Sequence, residues 1–222
     1  MTVQAMGTAA ALRNRLARKR LHVTSPYNWA MLFSRNRYSA PFKDSNQENA
    51  AHLLVTPTAL ADLSKADART VISFMLLRRV EMGTVLIKEG EVTHTDFMML
   101  ILEGEVLVDN EVASMDDSMV MSVIGPGSLI GEMGVLDGAP RSASCTATSD
   151  LAVAVLSREA LLTLIKSNPA VAARLMLAIS KRLSDRLREA NRKIRTLGGL
   201  SRALQQELNA AHQIKSGVIF GR

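Results

Sequence analysis

Between Arg79 and Leu156 the chain is cut into short apolar runs by glycine-bearing turns, spaced roughly ten residues apart, and few folds accommodate that rhythm. Arg79 to Ile87 reads as a short strand with a turn at Met82-Gly83, Phe97 to Leu102 as an apolar strand, and Glu103-Gly104 as the turn into Glu105 to Val108. Met119 to Ile124, a turn at Pro126-Gly127, a glycine-rich run, Ser142 to Thr148 and Leu151 to Leu156 continue the series. The strand-helix-strand pattern of a parallel nucleotide-binding sheet is absent. The expectation is a mainly β body with flanking α, an antiparallel jelly-roll β-barrel.

Helical patterns lie on both sides of this body. From Leu53 to Leu77 an apolar face forms from Ala59, Leu60, Leu63, Val71, Ile72, Met75 and Leu76, with Thr58 or Ser64 as its cap. Ser157 suits a helix N-cap, and Asn168-Pro169 opens a long second helix, since proline fits a first helical turn. From Met176 an apolar seam runs through Ser180, Leu183, Leu187, Ala190, Ile194 and Leu197 in alternating steps of four and three. That heptad pattern favours pairing of two copies over packing on the chain's own barrel. Gly198-Gly199 is expected to stop the helix, leaving Leu200 to Ile214 as a short one. The expected divisions are a basic extension over 1–50, a β-roll with a leading helix over 51–165, a dimerisation helix over 166–197, and a hinge with a short helix over 198–222.

The 222 residues are 47% hydrophobic and 22% charged, which excludes a disordered bulk. No apolar run reaches membrane-spanning length and no secretory signal is visible. The single cysteine, Cys145, cannot form an internal disulfide, and the four histidines show no ligand spacing, so no metal site and a cytoplasmic protein are expected. Residues 1–43 hold eight Lys and Arg and no acid, against 19 basic and 21 acidic residues in the remainder. The basicity therefore belongs to an arm, in which Ala9 to His22 could form a basic helix.

The chemistry concentrates in Ile130-Gly131-Glu132-Met133-Gly134-Val135 and, five residues later, Arg141-Ser142-Ala143. Glycines at 125, 127, 131 and 134 let backbone N–H groups approach a ligand unobstructed. A helical turn beginning near Met133 would aim its positive end at an anion, and Arg141 could give a phosphate two charge-assisted bonds. A carboxylate at 132 repels phosphate but accepts a hydroxyl, so the pair suits a molecule carrying both, a nucleotide. The bland alternative is a loop salt bridge between Glu132 and Arg141.

This stretch resembles the phosphate-binding cassette of cyclic nucleotide-binding domains, most closely that of the catabolite activator protein and its bacterial relatives. A second signature of the family is met by Leu86-Ile87-Lys88-Glu89-Gly90-Glu91, and the resemblance extends over about residues 55–197. It implies that Glu132 accepts the ribose 2′-OH, that Gly131 and Ser142 offer donors, and that Arg141 holds the cyclic phosphate. Met133 and Ala143 complete the cassette. Val108, Met121 and Ser122 align with base-pocket positions, and Arg182 with an arginine that reaches back to the glutamate.

The sequence departs from the pattern in three places. The loop between Gly90 and Gly104 is longer, and Cys145 stands where an aliphatic residue is usual. Arg186 and Leu187 occupy the positions of two hydroxyl residues that meet the adenine amine. Cyclic AMP is favoured as ligand, cyclic GMP is open, and a cyclic dinucleotide could use Arg186. Only 35 residues follow Leu187, too few for a winged helix-turn-helix of roughly seventy. The expected function is a cyclic-nucleotide-responsive regulator, a homodimer acting on a separate protein effector. The alternative is a nucleic-acid- or membrane-surface-binding protein that uses the basic arm, with a degenerate or dinucleotide-specific pocket. No nucleophile or acid–base constellation supports an enzyme.

Overall fold

The computed structural model describes residues 44–109 and 122–219, with side chains placed over 46–109 and 122–209. The basic arm and Met119 to Met121 lie outside the described residues. The described residues fall into two compact units, one up to Ala178 and one from Ile179.

Among the described residues of the first unit, helices α1 (Asp44–Leu54) and α2 (Lys65–Ser73) precede eight strands. These are β1 (Leu76–Val80), β2 (Val85–Ile87), β3 (Phe97–Glu103), β4 (Val106–Asp109), β5 (Ser122–Ile124), β6 (Leu129–Ile130), β7 (Ser144–Ala147) and β8 (Leu151–Ser157). A short helix α3 (Glu132–Asp137) interrupts them, and α4 (Arg158–Ser167) and α5 (Pro169–Ile219) follow. The strands form two antiparallel sheets, ordered β1-β8-β3-β6 and β2-β7-β4-β5, the jelly-roll arrangement.

β3 and β8 explain why the sequence shows an unbroken apolar run there. Phe97, Met99 and Ile101 of β3, with Val153 and Val155 of β8, point into the core between the sheets, where they meet Ile87, Val106, Ile130 and Cys145. The intervening Met98, Leu100, Ala154 and Leu156 are equally buried on the opposite face. There α1 packs on β3 and α4 on β8. A strand covered on both sides loses its polar alternation.

Three expectations need correction. The pattern from Leu53 to Leu77 is not one helix: α1 ends at Leu54, α2 at Ser73, and Leu76 and Leu77 open β1. Ser64 is the cap, its Oγ accepting from the Asp67 N–H at 3.1 Å, whereas Thr58 donates to the Gly127 carbonyl at 2.8 Å. The extension expected over 1–50 ends within α1, whose Ala50, Ala51 and Leu54 are buried. Finally, Gly198-Gly199 does not stop the helix or form a hinge, and Leu200 to Ile214 is part of α5 rather than a separate helix. Each interior glycine costs about 1 kcal/mol against alanine. Long runs of helix formers on both sides absorb that cost, because a continuous helix needs only one nucleus.

An ion pair ties α2 to the first turns of α5. Both oxygens of Asp67 accept from Arg174, at 2.8 and 2.7 Å, and one also accepts from the Ser64 hydroxyl at 2.7 Å. The Arg174 hydrogen bonds, and after them Ser64, hold the Asp67 carboxyl below its usual range. A folded-state pKa below the unfolded value contributes stability at neutral pH that is lost as pH falls through the folded value. Asp67→Asn is therefore expected to melt below the parent at pH 7. The gap should narrow as pH drops under about 3.9, the unperturbed value, and close once Asp67 is protonated in the folded protein. Thermal melting of both proteins from pH 7 to 2 checks this, and a gap independent of pH refutes it.

Candidate functional site

The cassette owes its position to sheet topology. β6 is an edge strand paired antiparallel with β3, with Met99 opposite Ile130. The chain leaving Ile130 therefore runs past the start of β3, beside Phe97. It re-enters at Ser144 in the other sheet, so residues 131–143 bridge the mouth of the roll.

Gly131 is the N-cap of α3 with φ of +76°, a left-handed conformation that favours glycine. Glu132, the first residue of α3, is only 2% exposed. Met133 lies in solvent, and its Sδ accepts a weak bond from the Ser142 hydroxyl at 3.8 Å. Ser142 is exposed, and Ala143 is half-buried on the approach to β7.

Arg141 is 5% exposed, and its guanidinium is thoroughly engaged. Nη1 donates to the Gly131 carbonyl at 3.0 Å, while Nη2 donates to the carbonyls of His94 and Phe97, each at 3.1 Å. Its central carbon sits 4.5 Å from the centroid of the Phe97 ring, a cation–π distance. Gly134 makes room for this placement: a Cβ there would lie 2.7 Å from Nη1 and 2.6 Å from the Thr95 carbonyl.

The Arg141 backbone joins the two sequence signatures. Its carbonyl accepts from Gly90 N–H at 2.8 Å, and its N–H donates to the Glu91 carbonyl at 3.0 Å. Glu89 N–H adds a bond to the Ser144 hydroxyl at 3.0 Å. Leu86 to Glu91 is thus a neighbour of the cassette in space as well as a companion in pattern.

Among the base-pocket candidates, Val108 of β4 is half-buried, and Ser122 of β5 is exposed directly opposite it in register. Cys145 faces Val108 from β7 on the other side. Met121 lies outside the described residues. Arg182 and Arg186 belong to α5 in the second unit. Sequence reasoning missed His94 and Phe97 as partners of Arg141, because their carbonyls accept its bonds and backbone carbonyls carry no residue signature.

The family model described as cyclic nucleotide-binding domain matches residues 77–168. The Thermus thermophilus cyclic AMP receptor protein is 29% identical over 124 residues, 55% of this chain and 56% of the relative. The chain spans about half the length of the curated relatives it matches. Among solved structures, a cyclic nucleotide-binding domain from Methylobacillus flagellatus aligns with a TM-score of 0.57 and 31% identity, covering 68% of this chain and 82% of that one. The Thermus thermophilus catabolite activator protein aligns at 0.53 and 27%, covering 66% and 63%. The jelly-roll order, the buried Glu132 and Arg141 on one bridging segment, and these likenesses agree: the chain belongs to the cyclic nucleotide-binding domain family and is homologous to the catabolite activator proteins.

Proposed function

We propose that the protein is a regulatory sensor that binds a cyclic nucleotide, with cyclic AMP as the preferred ligand, and that it is not an enzyme. The observation that carries this reading is the burial of one carboxylate and one guanidinium, Glu132 at 2% and Arg141 at 5% exposure, at the two ends of the segment that crosses the mouth of the roll. A ribose hydroxyl and a cyclic phosphate on one small molecule match that pair. The Ser142 hydroxyl is readily recruited too, since a thioether sulfur is a far weaker acceptor than a phosphate oxygen. Val108 and Ser122, opposite one another on β4 and β5, are assigned to the base, and the family resemblance adds Met121, Arg182 and Arg186 to the ligand's contacts. The preference for cyclic AMP rests on the overall likeness to the relatives described as cyclic AMP-responsive.

The described residues after the roll form one helix beyond α4 rather than a helix-turn-helix. We assign a separate protein effector as the next element in the signal and α5 as the element that pairs two copies, in a cytoplasmic protein. None of the described helices is long and apolar enough to cross a membrane.

Titration calorimetry with cyclic AMP, cyclic GMP and a cyclic dinucleotide tests the reading. Saturable binding of cyclic AMP, one per chain and tighter than the others, is the expected result. Tighter cyclic GMP or dinucleotide binding keeps the sensor and moves the ligand. No binding of any of the three refutes it.

A further inference from the structure

The guanidinium of Arg141 has two edges that can grip a phosphate with two parallel bonds, Nε with Nη2 and Nη1 with Nη2. Nη2 belongs to both. It carries two protons, and in this structure it makes two bonds, to the carbonyls of His94 and Phe97. A two-pronged grip on a phosphate therefore has to take one of those bonds back. The carbonyls solvate a charge that is 5% exposed.

The three acceptors are not equally able to yield. Phe97 opens β3 and is paired with Ser157 of β8, while the neighbouring Asp96 carbonyl accepts from Arg158 N–H at 2.7 Å. Gly131 is built into the cassette as the cap of α3. His94 lies in neither a strand nor a helix, and it is the one non-glycine among the described residues with a positive φ, +53°. A left-handed conformation at an L-residue other than glycine is held only by what it gains, and here the gain includes the bond from Arg141.

We infer that the His94 carbonyl is an internal competitor for the phosphate-binding arginine: ligand binding releases it, residue 94 leaves the left-handed conformation, and the strain stored there lowers the cost of release. This makes residue 94 a positioning residue that sets affinity through its backbone, and it rests on the proposal that the cassette takes a cyclic nucleotide. Ligand capture would also loosen the turn between β2 and β3, whose Thr93 N–H and hydroxyl are held by the Glu91 carboxylate.

The test compares His94→Gly with His94→Val. Both lack the imidazole, so any direct contribution of the ring is lost from each alike. Glycine accepts a positive φ at no steric cost and stabilises the competing state, whereas valine resists it. Calorimetry with cyclic AMP should find the valine variant binding tighter than the glycine variant by about fivefold or more, from the usual cost of a left-handed residue. Equal affinities, or tighter binding by the glycine variant, overturn the inference. If His94→Val melts below the assay temperature, His94→Ala makes the same comparison against His94→Gly, with the same sign expected at smaller amplitude. A parent protein that binds cyclic AMP while the variants show no such order fails this inference alone. A parent that binds no cyclic nucleotide fails the underlying reading and this one with it.

Discussion

Arg141→Ala is expected to lower the affinity for cyclic AMP by about 2–5 kcal/mol, roughly 30- to 4000-fold, the scale for removing one partner of a buried charged hydrogen bond. The effect is large because the phosphate would be left desolvated with no counter-charge from this position, and because Arg141 is enclosed rather than solvated. The same substitution takes the Arg141 bonds away from the carbonyls of Gly131, His94 and Phe97 and removes the cation over the Phe97 ring. A lower melting temperature should therefore accompany the loss of binding, since each buried acceptor left unmatched costs about 1–3 kcal/mol less whatever water recovers. Arg141→Lys separates the two effects. Its ammonium keeps the charge but cannot grip a phosphate with two parallel bonds as a planar fork does, so binding should recover only in part. Calorimetry and melting curves on the same samples check both. An alanine variant that is folded and binds cyclic AMP like the parent shows that Arg141 is not the phosphate anchor.

The cassette was legible in the sequence because its requirements are local. Glycine at 131 and 134, the acid at 132 and the Arg-Ser-Ala step are fixed by turn geometry and by chemistry within a dozen residues. The strands were legible for a similar reason, as glycine turns punctuate them. What could not be read depends on long-range placement. Asp67 and Arg174 are 107 positions apart, and nothing in either neighbourhood marks them as partners. The His94 and Phe97 carbonyls belong to the backbone, which every residue carries. α1 begins Asp-Ser-Asn-Gln-Glu-Asn, a polar stretch that reads as a linker, and only Ala50, Ala51 and Leu54 give it a buried face. The glycine pair at 198 and 199 misled for the opposite reason. It is a strong local signal, and a helix of 51 residues is governed by cooperativity beyond that range.

Continuity through the glycines bears on assembly. With no break at 198, the seam of four-and-three steps passes from Leu197 through Ser201 to Leu204 and Leu208 on one helix. Within the second unit Leu187, Ile194, Leu197, Leu204 and Leu208 are each between 52% and 65% exposed. A row of large apolar side chains in solvent at heptad spacing is unfavourable for a lone helix. Burying each against a second copy would contribute about 1–2 kcal/mol at the usual area coefficient. The flanking surface carries Arg186, Arg188, Arg192, Lys193 and Arg195, partly offset by Asp185 and Glu189 through the pairs Arg188–Asp185 at 2.8 Å and Lys193–Glu189 at 2.9 Å. Those pairs lie within one helix, so they leave the seam as the element that recognises a partner. The protein is expected to be a dimer by light scattering at tens of micromolar, where an interface of about 1 μM would be well populated. Ile194→Asp with Leu197→Asp should make it a monomer with an unchanged melting transition for the roll. Both positions are exposed and lie beyond Arg186 and Leu187, so the substitutions spare the residues assigned to the ligand. Two aspartates on each helix would sit against two on the other with no water between them, a repulsion that neither the remaining leucines nor the basic flank can offset. A parent that is monomeric at that concentration, or a double variant that stays dimeric, places the seam outside the interface.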